Sequence, residues 1–246
     1  MKGKNIVVTG ANRGIGKAVA DRIAMSGGNV WACMREISPE TSKWIEELSA
    51  KHEVWIEPVQ LDLRVEDSIK KATKMILEKK VPIDGIVNVA GITGPIKMFS
   101  MMSMEEIRET FEVNFFGTSF FTQRLIKNMM RNKKGSIVNI SSIAAIDGEP
   151  AQYAYVASKA AVIGASKKLS IELAPYHIRV NVVAPGIVET DMGAQINKDM
   201  EEKILSATTM RRKGNVNEIA DVVSFLLSNE SAYITGQVLR VDGGKV

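Results

Sequence analysis

The chain has 246 residues, of which 45% are hydrophobic and 24% charged, and its formal net charge is +4. These values are ordinary for a soluble globular protein with a full apolar core. The charge is too small to indicate nucleic-acid binding, and the basic runs 131–134 and 211–213 lack interleaved aromatic residues. We interpret both runs as solvated helix ends or loops, with an acidic partner or a phosphate group as the alternative.

The sequence also lacks the marks of several other protein classes. Cys33 is the only cysteine, which excludes an intrachain disulfide. His52 and His177 lie far apart without the spacing of metal ligands, so no metal site is predicted. The first residues lead directly into a predicted strand, unlike a signal peptide, and no window approaches the ~18 apolar residues of a membrane span. We therefore predict a cytoplasmic protein with neither a nucleic-acid nor a membrane partner.

Buried apolar runs alternate with segments of helical periodicity along the whole chain. The predicted strands cover residues 5–9, 29–34, 54–60, 83–88, 136–141, 178–183 and 237–241. The predicted helices cover residues 17–24, 38–50, 65–80, 103–131, 153–174 and 216–227. No repeat, low-complexity tract or linker interrupts this order. The alternation predicts an α/β fold, a single Rossmann-type doubly wound domain over residues 1–246 with helices on both faces of the sheet.

A glycine-rich turn joins the first predicted strand to the first helix. Residues 10–16 read GANRGIG, and glycine backbone can approach a pyrophosphate closely. The N-terminus of the following helix presents free N–H groups and the positive end of the helix dipole. Because the turn lies between a strand and a helix, it predicts dinucleotide binding rather than a merely tight connection.

The end of the second predicted strand bears on the choice of dinucleotide. An acidic residue at this position binds the ribose 2′-hydroxyl, whereas an arginine accommodates a 2′-phosphate. Met34 stands where the acid would be, Arg35 follows it, and Arg13 adds a second cation. The pattern favours NADP(H) over NAD(H), the alternative being that Arg35 only opens a loop and pairs with Glu36.

The ends of the next two strands should complete the adenosine site. Asp62 lies where it could hydrogen-bond an adenine amino group, or it could instead cap the helix predicted at 65–80. Residues 89–91 (Val-Ala-Gly) are small enough for the backbone to pass close to the cofactor ribose.

Tyr155 and Lys159 lie four apart on a predicted helix and share one face. A lysine charge favours the phenolate and lowers the tyrosine pKa from its reference near ~10. Reaching ~7 requires about 4 kcal/mol, which one charge at about 4 Å and an effective dielectric of about 20 nearly supplies. A bound nicotinamide cation would supply the remainder. With Ser142 at a strand end to polarise a carbonyl oxygen, the group predicts proton transfer to or from an alcohol oxygen. An isolated pair at this spacing is also common on ordinary amphipathic helices.

Three other segments admit more than one interpretation. Asn114, between aromatic residues in mid-helix, could hold a water or the catalytic lysine, or form an interhelical hydrogen bond. The methionine-rich residues 92–104 could wall a substrate pocket, pack into the core or form a subunit contact. Residues 187–214 form a substrate lid or a surface connection.

Taken together, these motifs resemble those of the short-chain dehydrogenase/reductases over essentially the whole chain. Residues 9–16 resemble the family's T-G-x-x-x-G-x-G cofactor loop, and Pro185-Gly186 with Thr190 resemble its nicotinamide-carboxamide segment. Its catalytic tetrad is matched in type, order and spacing by Asn114, Ser142, Tyr155 and Lys159.

The resemblance implies a seven-stranded parallel sheet, a homotetramer and a role for each member of the tetrad. Tyr155 would be the general acid/base and Ser142 would bind the substrate oxygen. Lys159 would hold the nicotinamide ribose and lower the tyrosine pKa, while Asn114 would order a proton-relay water. The expected cofactor contacts are Gly10, Asn12, Arg13, Gly14, Ile15, Gly16, Arg35, Asp62, Leu63, Asn88, Val89, Gly91, Tyr155, Lys159, Pro185, Gly186, Val188 and Thr190.

Within the family, residues 187–192 and 232–236 are most similar to 3-oxoacyl-(acyl-carrier-protein) reductases. Two positions depart from the pattern. Val89 replaces the second asparagine of the family's N-N-A-G, where main-chain contacts can persist. Lys133 retains one basic residue of the surface that faces the carrier protein, whereas Tyr176 replaces the other.

The sequence thus predicts an NADP(H)-dependent oxidoreductase that interconverts a ketone and a secondary alcohol. The leading substrate is a 3-oxoacyl thioester on acyl carrier protein; a sugar, a steroid or another small alcohol is the alternative. The non-enzymatic alternative is a catalytically silent dinucleotide-binding regulator.

Overall fold

The computed structural model describes residues 1–148, 152–191, 193 and 198–245. The strands are β1 (Asn5–Thr9), β2 (Asn29–Met34), β3 (Ile56–Gln60), β4 (Gly85–Asn88), β5 (Gly135–Ile140), β6 (Ile178–Pro185) and β7 (Val238–Val241). The helices are α1 (Gly14–Met25), α2 (Pro39–His52), α3 (Glu66–Glu78), α4 (Met104–Phe111), α5 (Thr118–Asn132), α6 (Ala144–Asp147), α7 (Tyr153–Leu173), α8 (Lys198–Ser206) and α9 (Val216–Leu227).

All seven strands pair in parallel in one sheet, in the order β3-β2-β1-β4-β5-β6-β7. The prediction of a doubly wound, seven-stranded parallel sheet is therefore confirmed. The order reverses between β1 and β4, whose ends meet where Thr9 pairs with Asn88. Thr9 Oγ1 accepts hydrogen bonds from Val89 N at 3.0 Å and Ala90 N at 3.1 Å, which fixes the two strand ends side by side. Ligands of open α/β sheets bind at such a reversal.

Two apolar cores, one on each face of the sheet, hold these strands. Residues alternate between the faces, so Ile6 and Val8 of β1 belong to one core and Val7 to the other. Helices α1, α2 and α9 cover the first core, and α3, α5 and the C-terminal end of α7 cover the second. Burial on both faces explains why the central strand β1 reads as a nearly continuous run of β-branched residues.

The helix predicted over residues 103–131 is divided into three parts. A capping box starts α4: Ser103 Oγ accepts from Glu106 N at 3.2 Å, and the Glu106 carboxylate accepts from Ser103 N at 2.7 Å. A π-helical turn, Glu112–Gly117, then separates α4 from α5. A Cβ at Gly117 would overlap the Leu63 carbonyl oxygen, so glycine lets this turn lie against the loop after β3. Such turns occur frequently at functional sites.

Smaller differences have local causes. The strand predicted from residue 83 begins at Gly85, because the Ile83 N–H donates to the Asn128 side chain at 2.9 Å instead of the ladder. Helices α6 and α8 were not predicted. Among the described residues, no helix is both long enough and apolar enough to cross a bilayer.

Candidate active site

A cleft of about 1010 Å³ opens at the C-terminal ends of the strands, where the order of the sheet reverses. Most of the predicted site residues line it: Gly10, Asn12, Arg13, Gly14, Ile15, Gly16, Arg35, Asp62, Leu63, Val89, Gly91, Ser142, Tyr155, Lys159, Pro185, Gly186, Val188 and Thr190. The side chains of Asn88 and Asn114 lie behind its wall. Within the described part of the chain, no three His, Cys, Asp or Glu side chains form a group that could hold a metal.

The glycine turn suits a pyrophosphate. Arg13 is the N-cap of α1, in extended conformation and without a side-chain cap, and the first turn holds no acidic residue. The first N–H groups of α1 therefore have no side-chain acceptor and face a site that favours an anion. A Cβ at Gly16 would overlap the Gly10 carbonyl oxygen, and one at Gly10 would lie 3.1 Å from the Ala90 backbone. Only glycine permits this close packing of the turn against the neighbouring backbone, and the packing leaves the space in front of the α1 N-terminus open to a ligand.

At the adenosine end of the cleft, three arginines differ in their pairing. Arg13 forms an ion pair with Asp191 at 3.2 Å, in which both side chains are more than two-thirds exposed. Arg64 pairs with Asp62 at 2.6 Å. Arg35 is exposed and has no ion pair among the residues that the structure describes, so the alternative pairing with Glu36 is not observed.

Asp62 does not cap helix α3, and its contact with an adenine amino group stays a prediction. The N-cap of α3 is Val65 and has no side-chain cap, so the capping interpretation is wrong. The carboxylate instead accepts from Arg64, whose hydrogen bond is the main influence holding the pKa of Asp62 below its ordinary value. Sequence reasoning missed Arg64, although its position just beyond the end of β3 places it at the ligand-binding edge.

The catalytic candidates meet where β5 ends and α7 begins. Ser142 is the second residue after β5, and its hydroxyl lies close enough to the Tyr155 phenol to lower the pKa of that phenol. Lys159 is buried one turn further along α7, with Nζ 5.9 Å from the centre of the Tyr155 ring. Lys159 Nζ donates to the Ile140 carbonyl at 2.9 Å, so the last residue of β5 holds the ammonium group in place.

The electrostatics of the site differ from the sequence expectation. Burial raises the pKa of Tyr155, and the Ser142 hydrogen bond opposes this rise only in part. Burial also lowers the pKa of Lys159 to about 8. The expectation that the lysine alone nearly suffices to make the phenol acidic is therefore wrong. The cost of placing a charge in this interior was left out.

Asn114 lies behind Gly91, in the π-helical turn. Its amide donates to the Ile92 carbonyl at 2.9 Å and to Ser158 Oγ at 3.0 Å, and its Oδ1 accepts from Ile92 N at 2.8 Å. The contact with Ser158 of α7 is the interhelical hydrogen bond considered from sequence. A Cβ at Gly91 would lie 3.0 Å from Asn114 Oδ1 and 3.2 Å from Lys159 Nζ. Asn114 thus fixes the main chain that separates it from the lysine.

Asn88 is the predicted cofactor residue whose side chain points elsewhere. Its amide donates to Thr122 Oγ1 at 3.0 Å and to Asn139 Oδ1 at 2.7 Å. These bonds join β4 to α5 and β5, so a side-chain contact with the cofactor is not supported.

The methionine-rich stretch is largely on the surface. Met98, Met101 and Met104 are 61%, 69% and 59% exposed, which rules out the core interpretation for these three. The neighbouring Ile96 lines the cleft, and Phe99 packs on Tyr153 with ring centres 4.4 Å apart.

Of the segment predicted as a lid or connection, residues 187–191, 193 and 204 line the cleft. Residues 192 and 194–197 lie outside the described residues, so the choice between the two interpretations stays open.

A parallel sheet with a phosphate-binding turn at its reversal, and a Ser–Tyr–Lys group beside that turn, defines a dinucleotide-dependent oxidoreductase. The sequence model of a family described as enoyl-(acyl carrier protein) reductase matches residues 10–245. The chain belongs to the short-chain dehydrogenase/reductase family, whose members bind nicotinamide dinucleotides.

Three relatives bear on function. The 3-oxoacyl-(acyl-carrier-protein) reductase of Aquifex aeolicus is 40% identical over 99% of this chain and 98% of its own. A 3-oxoacyl-(acyl-carrier protein) reductase from Brucella melitensis with bound NAD is 33% identical, with a TM-score of 0.89 over 99% of this chain and 91% of its own. A 7α-hydroxysteroid dehydrogenase complexed with NADH and 7-oxo glycochenodeoxycholic acid is 30% identical, with a TM-score of 0.90 over 100% and 95%.

Proposed function

We propose that the protein is an NADP(H)-dependent reductase of 3-oxoacyl thioesters carried by acyl carrier protein. The observation that carries the proposal is that Ser142, Tyr155 and Lys159 line one cleft whose far end suits a pyrophosphate. Similarity to the Aquifex aeolicus reductase over nearly the whole of both chains supports the substrate class.

In this proposal each side chain has one task. The bound nicotinamide supplies the hydride. Tyr155 gives its proton to the substrate oxygen as negative charge develops there, and Ser142 donates a second hydrogen bond to the same oxygen. Lys159 donates one N–H to the Ile140 carbonyl, which leaves two N–H donors for ribose hydroxyls. Its ammonium group also places a positive charge near the phenol. Asn114 holds the Gly91–Ile92 backbone against the lysine.

Family membership does not choose between NADP(H) and NAD(H), because the relative from Brucella melitensis holds NAD. The proposed preference for NADP(H) therefore rests on Arg35. An exposed guanidinium without an ion pair among the described residues is free to take a 2′-phosphate in a two-pronged contact. Met34, the residue before it, offers no acid for a 2′-hydroxyl.

We expect Arg35→Asp to weaken NADPH binding by roughly 10- to 100-fold, the worth of a charge-assisted hydrogen bond, while the NADH dissociation constant changes little. Fluorescence titration of both cofactors measures this. Arg131→Asp, the same change at an exposed position of α5, is the control and should alter neither constant. Equal affinities of the wild type for NADPH and NADH would contradict the proposed cofactor.

The substrate is tested by NADPH oxidation with a 3-oxoacyl thioester beside a 2-enoyl thioester, a keto-sugar and an oxo-steroid. We expect the 3-oxoacyl thioester to give the highest kcat/KM. Faster reduction of the steroid would favour the second candidate, which the relationship to the 7α-hydroxysteroid dehydrogenase supports. Cofactor binding without turnover of any substrate would favour the silent regulator.

The proposal includes a cytoplasmic location, a single dinucleotide-binding and catalytic domain, and a homotetramer. Exposed apolar side chains at Phe116 and Ile171, 52% and 69% exposed, support a subunit contact, which would cover them, whereas the number of subunits rests on the family resemblance.

A further inference from the structure

The side chains of Arg64 and Asp62 form a two-pronged ion pair in the wall of the cleft. Arg64 Nε donates to Asp62 Oδ1 at 3.0 Å, and Arg64 Nη2 donates to Asp62 Oδ2 at 2.6 Å. The Arg64 backbone N–H adds a third bond, to Oδ1 at 3.0 Å. Both carboxylate oxygens of Asp62 therefore accept hydrogen bonds from Arg64.

Arg35 also lines the cleft, and it follows the end of β2, whose last residue Met34 pairs with Gln60 at the end of β3. The positive charge of Arg35 contributes to holding the pKa of Asp62 below its ordinary value, after the larger effect of Arg64. The Arg35 guanidinium and the Asp62 carboxylate are thus within electrostatic reach of each other. A 2′-phosphate held by Arg35 would carry close to two negative charges into the field of that carboxylate.

We propose that Arg64 is a specificity-determining residue that acts through Asp62, cancelling the carboxylate charge beside the site of the 2′-phosphate. This inference rests on the proposed preference for NADP(H). Its distinctive consequence is that Arg64 matters for a dinucleotide with a 2′-phosphate and hardly matters for one without it.

A comparison with Arg13 supports this role. Arg13 makes one contact with Asp191 at 3.2 Å, and both side chains are more than two-thirds exposed, so the pair can open at little cost. The Arg64 pair has two parallel N–H to oxygen bonds, and Asp62 is only 23% exposed. Arg13 can therefore turn to a phosphate, whereas Arg64 stays with its carboxylate.

Binding of two cofactor fragments, measured by calorimetry, separates the 2′-phosphate from the rest of the cofactor. The quantity is the ratio of the dissociation constant of 5′-AMP to that of 2′,5′-ADP, because the two ligands differ only in the 2′-phosphate and contacts to adenine, ribose and the 5′-phosphate cancel in it. For the wild type we expect a ratio above one. Arg64→Gln should lower the ratio about five- to tenfold, the effect of one uncovered charge on a phosphate several ångströms away.

The double variant Arg64→Gln/Asp62→Asn distinguishes action through Asp62 from direct contact. We expect it to restore the ratio to within about twofold of the wild-type value. Lys74→Gln is the matched control: it removes the same charge from an exposed pair with Glu78 on α3, away from the cleft, and should change nothing.

Three outcomes would overturn the proposal. A ratio unchanged in Arg64→Gln, with the wild-type preference for 2′,5′-ADP intact, would defeat this inference alone. If the ratio in the double variant were as low as in Arg64→Gln, Arg64 would contact the phosphate itself. A wild-type ratio of one that no variant alters would defeat both this inference and the proposed cofactor.

Discussion

Tyr155→Phe is expected to lower kcat about 1,000-fold while the dissociation constant for NADPH stays within about threefold of the wild-type value. The change removes one hydroxyl, which is the group that the proposed function assigns as the proton donor beside Ser142. The ring remains, so the helix and the cleft wall keep their shape. Steady-state NADPH oxidation with a 3-oxoacyl thioester measures the first quantity and fluorescence titration the second.

Tyr153→Phe is the matched control for this experiment. It deletes the same hydroxyl two residues earlier on α7, where the ring is 48% exposed and stacks on Phe99. We expect kcat within about twofold of the wild-type value. Should Tyr155→Phe retain more than a tenth of the activity, the tyrosine is not the proton donor.

The second large effect concerns the cost of keeping Lys159 in the interior. Burial lowers its pKa from 10.5 to about 8 in the folded protein. Below pH 8 both folded and unfolded chains hold the proton, and the folded state bears the full cost of the buried charge. Between pH 8 and 10.5 the folded protein releases the proton while the unfolded chain keeps it, so this cost declines as the pH rises. The contribution of Lys159 to the free energy of unfolding therefore becomes more favourable across that window.

Lys159→Met removes this dependence. The difference in unfolding free energy, variant minus wild type, should fall by about 3 kcal/mol between pH 7 and pH 10.5, the equivalent of the shift from 10.5 to about 8. Urea unfolding at a series of pH values gives this difference. Lys168→Met, at an exposed position of the same helix, is the control and should show a nearly constant difference. A constant difference for Lys159→Met as well would mean that the lysine titrates as in water.

Much of the fold follows from local patterns. The glycine turn, the β-branched runs and the order of strands and helices each have a local physical cause, and the structure agrees with them. The cleft likewise collects Ser142, Tyr155 and Lys159, because parallel strands deliver their following residues to one edge.

The remaining features depend on contacts between distant parts of the chain. The π-helical turn accompanies the close approach of Gly117 to Leu63, a contact that the periodicity of the helix sequence does not predict. Asn88 points away from the cleft because Thr122 and Asn139 receive its amide hydrogens. Arg64 could have been considered from its position, yet its pairing with Asp62 could not be read from spacing alone.

The largest error concerned energy rather than geometry. Sequence reasoning placed Lys159 near Tyr155 and counted the attraction between ammonium and phenolate. It left out the cost of burying both groups, which raises the pKa of the tyrosine and lowers that of the lysine. On the proposed function, the acidity of the phenol then comes largely from the bound cofactor.

This dependence on the cofactor is tested most directly by titrating the Tyr155 phenol. The ultraviolet difference between the wild type and Tyr155→Phe, recorded against pH, isolates its ionisation. Without cofactor, the account predicts a Tyr155 pKa above the ordinary tyrosine value, because burial outweighs the Ser142 hydrogen bond. With saturating NADP⁺, the midpoint should move to lower pH, below that ordinary value. A phenol that ionises near neutrality in the free protein, or a midpoint that NADP⁺ leaves unchanged, would contradict it.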